Sequence, residues 1–414
     1  MSTADAIADH LFRHEAGRMV SALVRVLGLR HLALAEDAVQ DALLRALETW
    51  RFGALPESPG AWLMRCAQNR ARDLLRRQGT LARIEEALGD ALEGEPAAGA
   101  GDAGLPDAEL RFMFSCCAPE LPPQAQVAVI LKYLGGFSVR EVAQAFLASE
   151  AAVEKQLYRA RSALEAAGGV YDVDDAAQVA ARLPSVLESV YLLFSEGYHG
   201  AHPQQVVREE LCEEALRLGL LLAQLPAAAG PETQALLALF CFDAARLGAR
   251  VADDGGLVLL AEQDRARWDR ALVAEGFRRL AASAEGARLS AFHLEAAIAA
   301  AHAAAPSFEA TDWPAIRRLY DLLLEVRPSP VVALNRAIAV GMAEGPEAGL
   351  SALARMEGRD RLARYPFLGA AVADLELRCG RPGRAAEALR AALPLARNPA
   401  ERAVLEKKLR ACLD

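Results

Sequence analysis

The sequence predicts an all-α protein, and three observations carry that expectation. Of its 414 residues 53% are hydrophobic but only 6% aromatic, and much of the apolar fraction is alanine, a strong helix former without the β-branched bulk that strands favour. Apolar residues recur at helical spacing, as in Val39, Leu43, Ala46, Leu47 and Trp50, which marks a buried stripe. Helix-start signals precede such stripes, among them Ser138 with Glu141, a capping-box pair. At roughly 100–200 residues per domain the length predicts two to four domains. No stretch approaches the roughly 20 uninterrupted apolar residues of a membrane span, and no basic segment leads into an apolar run near the start. The chain is therefore expected in the cytoplasm, with no membrane partner. The seven cysteines are odd in number and scattered, with no C-x-x-C pair, so neither a disulfide framework nor a zinc ribbon is encoded. A net charge of −9 argues against a surface that coats nucleic acid throughout, but allows a local basic face.

The first informative helix is predicted over Glu36–Trp50. Opposite its apolar stripe lie Asp37, Gln40, Asp41 and Glu48, with Leu44 set among them. This reads either as a solvated acidic face with one exposed leucine or as a surface that meets a partner. The second helix is predicted over Pro59–Gln78, with Ser58 as N-cap and Pro59 at the first helical position. Arg65, Asn69, Arg72 and Arg76 share one face, which Arg70 and Arg77 widen, against a single acid, Asp73. The arginine fork binds two phosphate oxygens at once, and asparagine can pair with a base edge. Trp62, which follows the loop Phe52–Gly60, reads as a core residue or as a platform for an unpaired base.

From about residue 85 to residue 107 glycine, proline, alanine and acids alternate without a basic residue, the composition of a flexible linker. Beyond it, Ser138 and Glu141 open a short helix whose Val142, Ala143 and Phe146 face inward. Leu147-Ala148-Ser149 then leads to a longer helix with Ser149 as N-cap, Glu150 complementing the dipole, and Val153, Leu157, Ala160 and Leu164 as its core stripe. Short helix, tight turn and longer helix make either a helix-turn-helix or an ordinary helical hairpin. The exposed face offers Ala151, Ala152, Glu154, Lys155, Tyr158, Arg159 and Arg161. In a major groove glutamate can accept from cytosine, alanine methyls can meet thymine methyls, and the basic residues can hold phosphates.

A second break falls near Gly168-Gly169. In the long remainder, Gly345 and Gly380 each end one apolar-periodic segment and precede another, 35 residues apart (380 − 345), which suggests tetratricopeptide-like helix hairpins. The best unit begins at Leu375, a poorer one spans 330–356, and a degenerate one covers 290–326; residues 180–290 read as helical without a repeat.

Together these stretches reach a known family. Ala35-Glu36-Asp37-Ala38-Val39-Gln40-Asp41-Ala42-Leu43-Leu44-Arg45, Ala61-Trp62-Leu63 and Gln68-Asn69-Arg70-Ala71-Arg72-Asp73 resemble domain 2 of extracytoplasmic-function RNA polymerase sigma factors. Leu110-Arg111-Phe112-Met113-Phe114-Ser115-Cys116-Cys117, the Leu121–Ala128 stretch and the helix-turn-helix resemble domain 4. Tyr191–Tyr198 and the repeat-like tail are similar to the subgroup with a long fused extension. The resemblance implies sigma domain 2 over 1–80, an acidic linker over 81–107, sigma domain 4 over 108–168, a helical extension over 180–290 and tetratricopeptide-like repeats over 291–414. It also implies that Asp37, Gln40, Asp41, Leu44 and Arg45 dock on RNA polymerase core. Trp62, Arg65, Asn69, Arg70, Arg72, Arg76 and Arg77 would then bind the promoter −10 element, with a flipped base near the Phe52–Gly60 loop. Ser149, Glu150, Ala151, Glu154, Lys155, Tyr158, Arg159 and Arg161 would read the −35 element. Ser195 replaces the asparagine of the related N-E-G-Y pattern, and this segment reads as that motif or simply as a helix end at Gly197. The repeats would take an intramolecular or peptide partner.

No enzyme, cofactor or metal is expected. His10 and His14 lack a third ligand nearby, His199 and His202 read as surface residues, and Cys116-Cys117 as core. No phosphate-binding G-x-x-x-x-G-K-[ST] or G-x-S-x-G elbow occurs. Two rival readings are a helix-turn-helix regulator that acts without replacing sigma and a tetratricopeptide scaffold.

Overall fold

The computed structural model describes residues 3–50, 56–77, 108–118, 120–146, 148–167, 176–199, 207–252, 255–286 and 288–413. Their regular structure is helical, with one isolated antiparallel bridge between Val251 and Leu257. The all-α expectation holds. The linker at 81–107, Phe52–Leu55 of the proposed base-capturing loop, and His202 lie outside the described residues, as do the side chains of His10 and His14.

The chain forms two compact units, 1–193 with 213–228 and 194–212 with 229–414. In the first, α1 (Thr3–Leu27), α2 (Leu32–Trp50) and α3 (Pro59–Arg77) pack together. The inward face of α2 carries Ala35, Ala38, Val39, Ala42 and Ala46, and that of α3 carries Leu63, Ala67, Ala71 and Leu75. This corrects the expected stripe on α2: Leu47 is 47% exposed, and Leu43 and Trp50 are only partly buried. Facing alanines let the two backbones approach closely, which turns the larger leucines to the flanks.

The same unit holds α4 (Ala108–Cys116), α5 (Pro123–Tyr133), α6 (Val139–Ala145) and α7 (Glu150–Ala167). Cys116 and Cys117 are buried in its core, as expected. Gln126 Nε2 donates to the carbonyls of Ala118 and Leu121 at 2.8 and 2.9 Å, fixing the turn into α5. The α1 backbone runs so close to the end of α5 that a Cβ on Gly17 would lie 2.2 Å from the Leu134 carbonyl oxygen. Further ties join α2 to the later helices: Ala33 N donates to Glu165 Oε1 at 3.3 Å, and Lys132 Nζ lies 3.5 Å from Glu36 Oε1. Two longer helices also contribute, α8 (Ala176–His199) up to Leu193 and α9 (Glu209–Gln224) from Glu213. Arg217 on α9 pairs with Glu109 on α4, a carboxylate only 4% exposed; such a buried charge needs its partner.

The second unit contains α10 (Pro231–Ala244), α11 (Leu247–Arg250) and α12 (Arg270–Ser283), then α13 (Ala291–Ala304), α14 (Trp313–Val326), α15 (Pro330–Glu344), α16 (Pro346–Ala354), α17 (Pro366–Arg378), α18 (Pro382–Ala392) and α19 (Pro399–Ala411). Helix α10 is buried from Ala235 to Phe242 and forms the centre of the unit's first part. From α13 onward the helices pair into hairpins. Each of α15–α19 begins at a proline, which suits the first helical position because its missing N–H has no intrahelical partner there. Gly345 and Gly380 turn two of the hairpins at φ +105° and +73°, a region glycine enters without strain. Three successive apolar clusters, around Ile316, Leu353 and Leu389, fill the spaces between neighbouring helices, the nearest-neighbour packing of a repeat architecture.

The segment Ser195–Tyr198 does not end a helix at Gly197, since α8 continues to His199. Glycine is required there by packing: a Cβ would lie 2.8 Å from both the Arg208 carbonyl and Cys212 Sγ. Glu196 pairs with Arg208 at 2.8 Å, both buried, and Tyr198 is 2% exposed.

Candidate nucleic-acid interface

Helices α2 and α3 present two chemically distinct faces. On α2, Asp37, Gln40, Leu44, Arg45, Leu47 and Glu48 are exposed. Leu44, at 58% exposure, is joined by Leu47 one turn on, so the acidic face carries an apolar pair rather than a single leucine. The spacing of Leu44 and Leu47 is legible in the sequence, but Leu47 also fits the buried stripe, and only the alanine packing decides between them. Gln40 Nε2 donates to Glu36 Oε1 at 3.1 Å.

On α3, Arg65, Asn69, Arg76 and Arg77 are exposed and Arg72 is partly so, with Arg72 Nη1 donating to Asn69 Oδ1 at 3.2 Å. Arg65, Arg72, Arg76 and Arg77 have no carboxylate partner among the described residues. Arg70 differs, because its Nε donates to Asp41 on α2. One residue from each expected face is thus held by the other, a link that residue spacing could not reveal. Trp62 is half-buried and packs on Trp50 with ring centroids 5.4 Å apart. It combines a core contact with partial exposure.

The helix-turn-helix is built as its sequence dictates. Ser138 and Glu141 form the reciprocal capping box, with Glu141 N donating to Ser138 Oγ at 3.2 Å and Ser138 N to Glu141 Oε2 at 2.8 Å. Ser149 Oγ accepts from Ala152 N at 3.3 Å. Val153, Leu157, Ala160 and Leu164 are buried, leaving Ser149, Glu150, Ala151, Ala152, Glu154, Lys155, Tyr158 and Arg159 exposed. Arg161 instead turns back toward Tyr133 and Glu165, its Nε 3.9 Å from the Glu165 carboxylate, and burial pushes the Tyr133 hydroxyl up. Phe146 is only partly buried and lines a cavity of about 440 Å³ with Pro123, Val127, Pro184 and Leu192. Among the described residues no group of three or more metal-ligating side chains occurs, and no helix is long and apolar enough to cross a membrane.

Comparison with known proteins places these elements. The sigma-70 region 2 family model matches residues 11–80, and the sigma-70 region 4 model matches 111–164. A family of unknown function, DUF6596, matches residues 182–284. The chain is 38% identical over 400 residues, 94% of either chain, to an uncharacterized protein of Rhizobium meliloti (strain 1021). It is 31% identical over 175 residues to the probable RNA polymerase sigma factor RfaY of Xanthomonas campestris pv. campestris, covering 39% of this chain and 44% of that one. A solved structure, the APC/C hetero-tetramer Cut9-Hcn1, aligns over 93% of this chain and 83% of its own at 15% identity, but its TM-score of 0.33 is too low to carry an argument.

Proposed function

Because the chain belongs to the sigma-70 family of RNA polymerase sigma factors, as an extracytoplasmic-function member with a fused helical extension and a role in transcription initiation, we propose a division of that work among its helices. The α2 face of Asp37, Gln40, Asp41, Leu44 and Arg45 docks on RNA polymerase core. The α3 face of Trp62, Arg65, Asn69, Arg70, Arg72, Arg76 and Arg77 engages the −10 element. The α7 face from Ser149 to Arg159 reads the −35 element, and the extension regulates the whole. Asp41 then has two roles, pairing Arg70 in the free protein and meeting polymerase in the complex, so docking releases Arg70 toward DNA.

The observation that carries this reading is that Arg65, Arg76 and Arg77 on α3 are exposed, and Arg72 partly so, without a carboxylate partner among the described residues of an acidic chain. Guanidinium groups left in this state keep their charge for phosphates. Net charge of −9 opposes approach of the free protein to DNA, so tight promoter binding is expected only with core enzyme. Arg161 contributes to the −35 site only after leaving Tyr133.

Run-off transcription with purified core enzyme on genomic fragments, the promoter of the protein's own gene included, tests this. Transcripts are expected with the full chain and not with Arg72→Ala plus Arg76→Ala. If the full chain neither supports transcription nor co-purifies with core, the reading is wrong. A truncation near Gly168 would strip Arg217 from the buried Glu109. The role of the extension is therefore tested in the full chain, by substitutions on its exposed surface that raise or lower transcript yield.

A further inference from the structure

The second compact unit contains a cluster of cations and rings with more donors than acceptors. Arg246 is 9% exposed and its guanidinium lies 5.6 Å from the ring centroids of both Tyr198 and Trp268. Arg265 stacks over the same Trp268 ring at 4.7 Å. Its Nη1 donates to the carbonyls of His302 and Ala305, the latter at 2.7 Å. Arg250, 8% exposed, stands 3.9 Å from the Tyr198 centroid. Among the described residues the one carboxylate within ion-pair distance of these arginines is Asp243, 4.0 Å from Arg246, while exposed Glu309 acts on Arg265 from further off. Their field reaches His302, whose pKa is brought down to about 4 by burial and by Arg246 and Arg265.

Within this cluster, among the described residues, the Nε atoms of Arg246 and Arg250, Nη2 of Arg265 and Nε1 of Trp268 are buried donors without a hydrogen-bond partner, and Nδ1 of His302, likewise unpartnered, adds a donor in its Nδ1–H tautomer. Buried donors are rarely left so. Water satisfies a donor only by bringing two donors of its own, which then need acceptors. An ionised oxyanion brings acceptors alone and offsets the charge excess, and arginine forks match its geometry. Arg265 and His302 are partly exposed, so the cluster reaches solvent.

We propose that Arg246, Arg265, Trp268 and His302 form a binding site for a small oxyanion of carboxylate or phosphate type. The site rests on the geometry of the extension alone and is independent of the promoter-binding assignment. The full chain is titrated with sodium phosphate and, separately, sodium succinate, at ionic strength held constant with sodium chloride. Melting midpoint and tryptophan fluorescence are followed. At least one anion is expected to give a saturable rise of roughly 3 °C or more in the midpoint with a parallel fluorescence change. A response to phosphate only or to succinate only identifies the chemistry. Arg265→Gln, at a partly exposed position, should abolish the response while the chain still melts cooperatively, and Arg246→Lys, which keeps the charge but loses the fork, should weaken it at least tenfold. If neither anion acts beyond chloride, or if Arg265→Gln responds like the parent chain, the proposal fails.

Discussion

Arg65, Arg76 and Arg77 on α3 are exposed without a carboxylate partner among the described residues, whereas Arg208, Arg246 and Arg250 in the other unit are each under a tenth exposed, against a carboxylate or an aromatic ring. The same side chain is used in opposite ways. A guanidinium left in water costs the fold nothing and keeps its charge for a ligand. One taken out of water must be met by partners, and the surrounding structure then depends on them. Substitutions should therefore separate function from stability according to which group they touch.

The largest effect is expected from Arg72→Ala with Arg76→Ala. Two phosphate or base contacts at about 1–3 kcal/mol each predict a loss of transcription of about 30-fold or more, read by run-off assay, with the melting midpoint unchanged. A midpoint that falls along with activity would break the comparison. Glu196→Ala is the converse test, because it removes the carboxylate that buried Arg208 donates to at 2.8 Å. It should cost about 3–5 kcal/mol of stability, measured by chemical unfolding.

A third test uses pH to gauge what burial and the neighbouring arginines do to His302. His302 has an ordinary value of 6.5 and is held near 4 in the folded chain, first by burial and then by Arg246 and Arg265. Protonation therefore favours the unfolded state. The contribution is full above pH 6.5 and is lost as pH falls from there toward 4, by up to about 3 kcal/mol. His302→Gln should flatten that part of the stability profile. The smallest effect is expected from Arg77→Ala, which should lower the salt dependence of promoter binding by about one phosphate contact and leave stability untouched.

How much of this was legible beforehand depends on whether an interaction is local. The α7 stripe of Val153, Leu157, Ala160 and Leu164 and the Ser138–Glu141 capping box follow from spacing within a turn or two, and both were readable. So were the hairpin turns at Gly345 and Gly380, where few residues but glycine suit the backbone. The exposure of Leu47 was not, because it depends on how closely Ala42 and Ala46 approach α3. The pairs Asp41–Arg70 and Glu109–Arg217 join residues far apart in the chain, and no periodicity encodes them. Of the two readings open at Gly197 the helix end fails, and spacing could not decide this because the reason for glycine is a neighbouring backbone at Arg208. The basic face of α3 was legible as charge, but not the turning away of Arg70 and Arg161, which follows from acceptors on other helices.

The adjacent thiols Cys116 and Cys117 have a consequence for how the first unit can be watched. Both are buried, and burial raises both thiol pKa values, Cys117 to about 12. The thiolate is the reactive form, so in the closed molecule neither sulfur is open to a modifying reagent. Among the described cysteines of this unit Cys66 is only partly buried, and although burial raises its pKa too, it is open to reagent in the closed molecule. Modification of the 116–117 pair would then proceed no faster than the core around it opens, so the chain carries its own clock for the breathing of that core, without an added label.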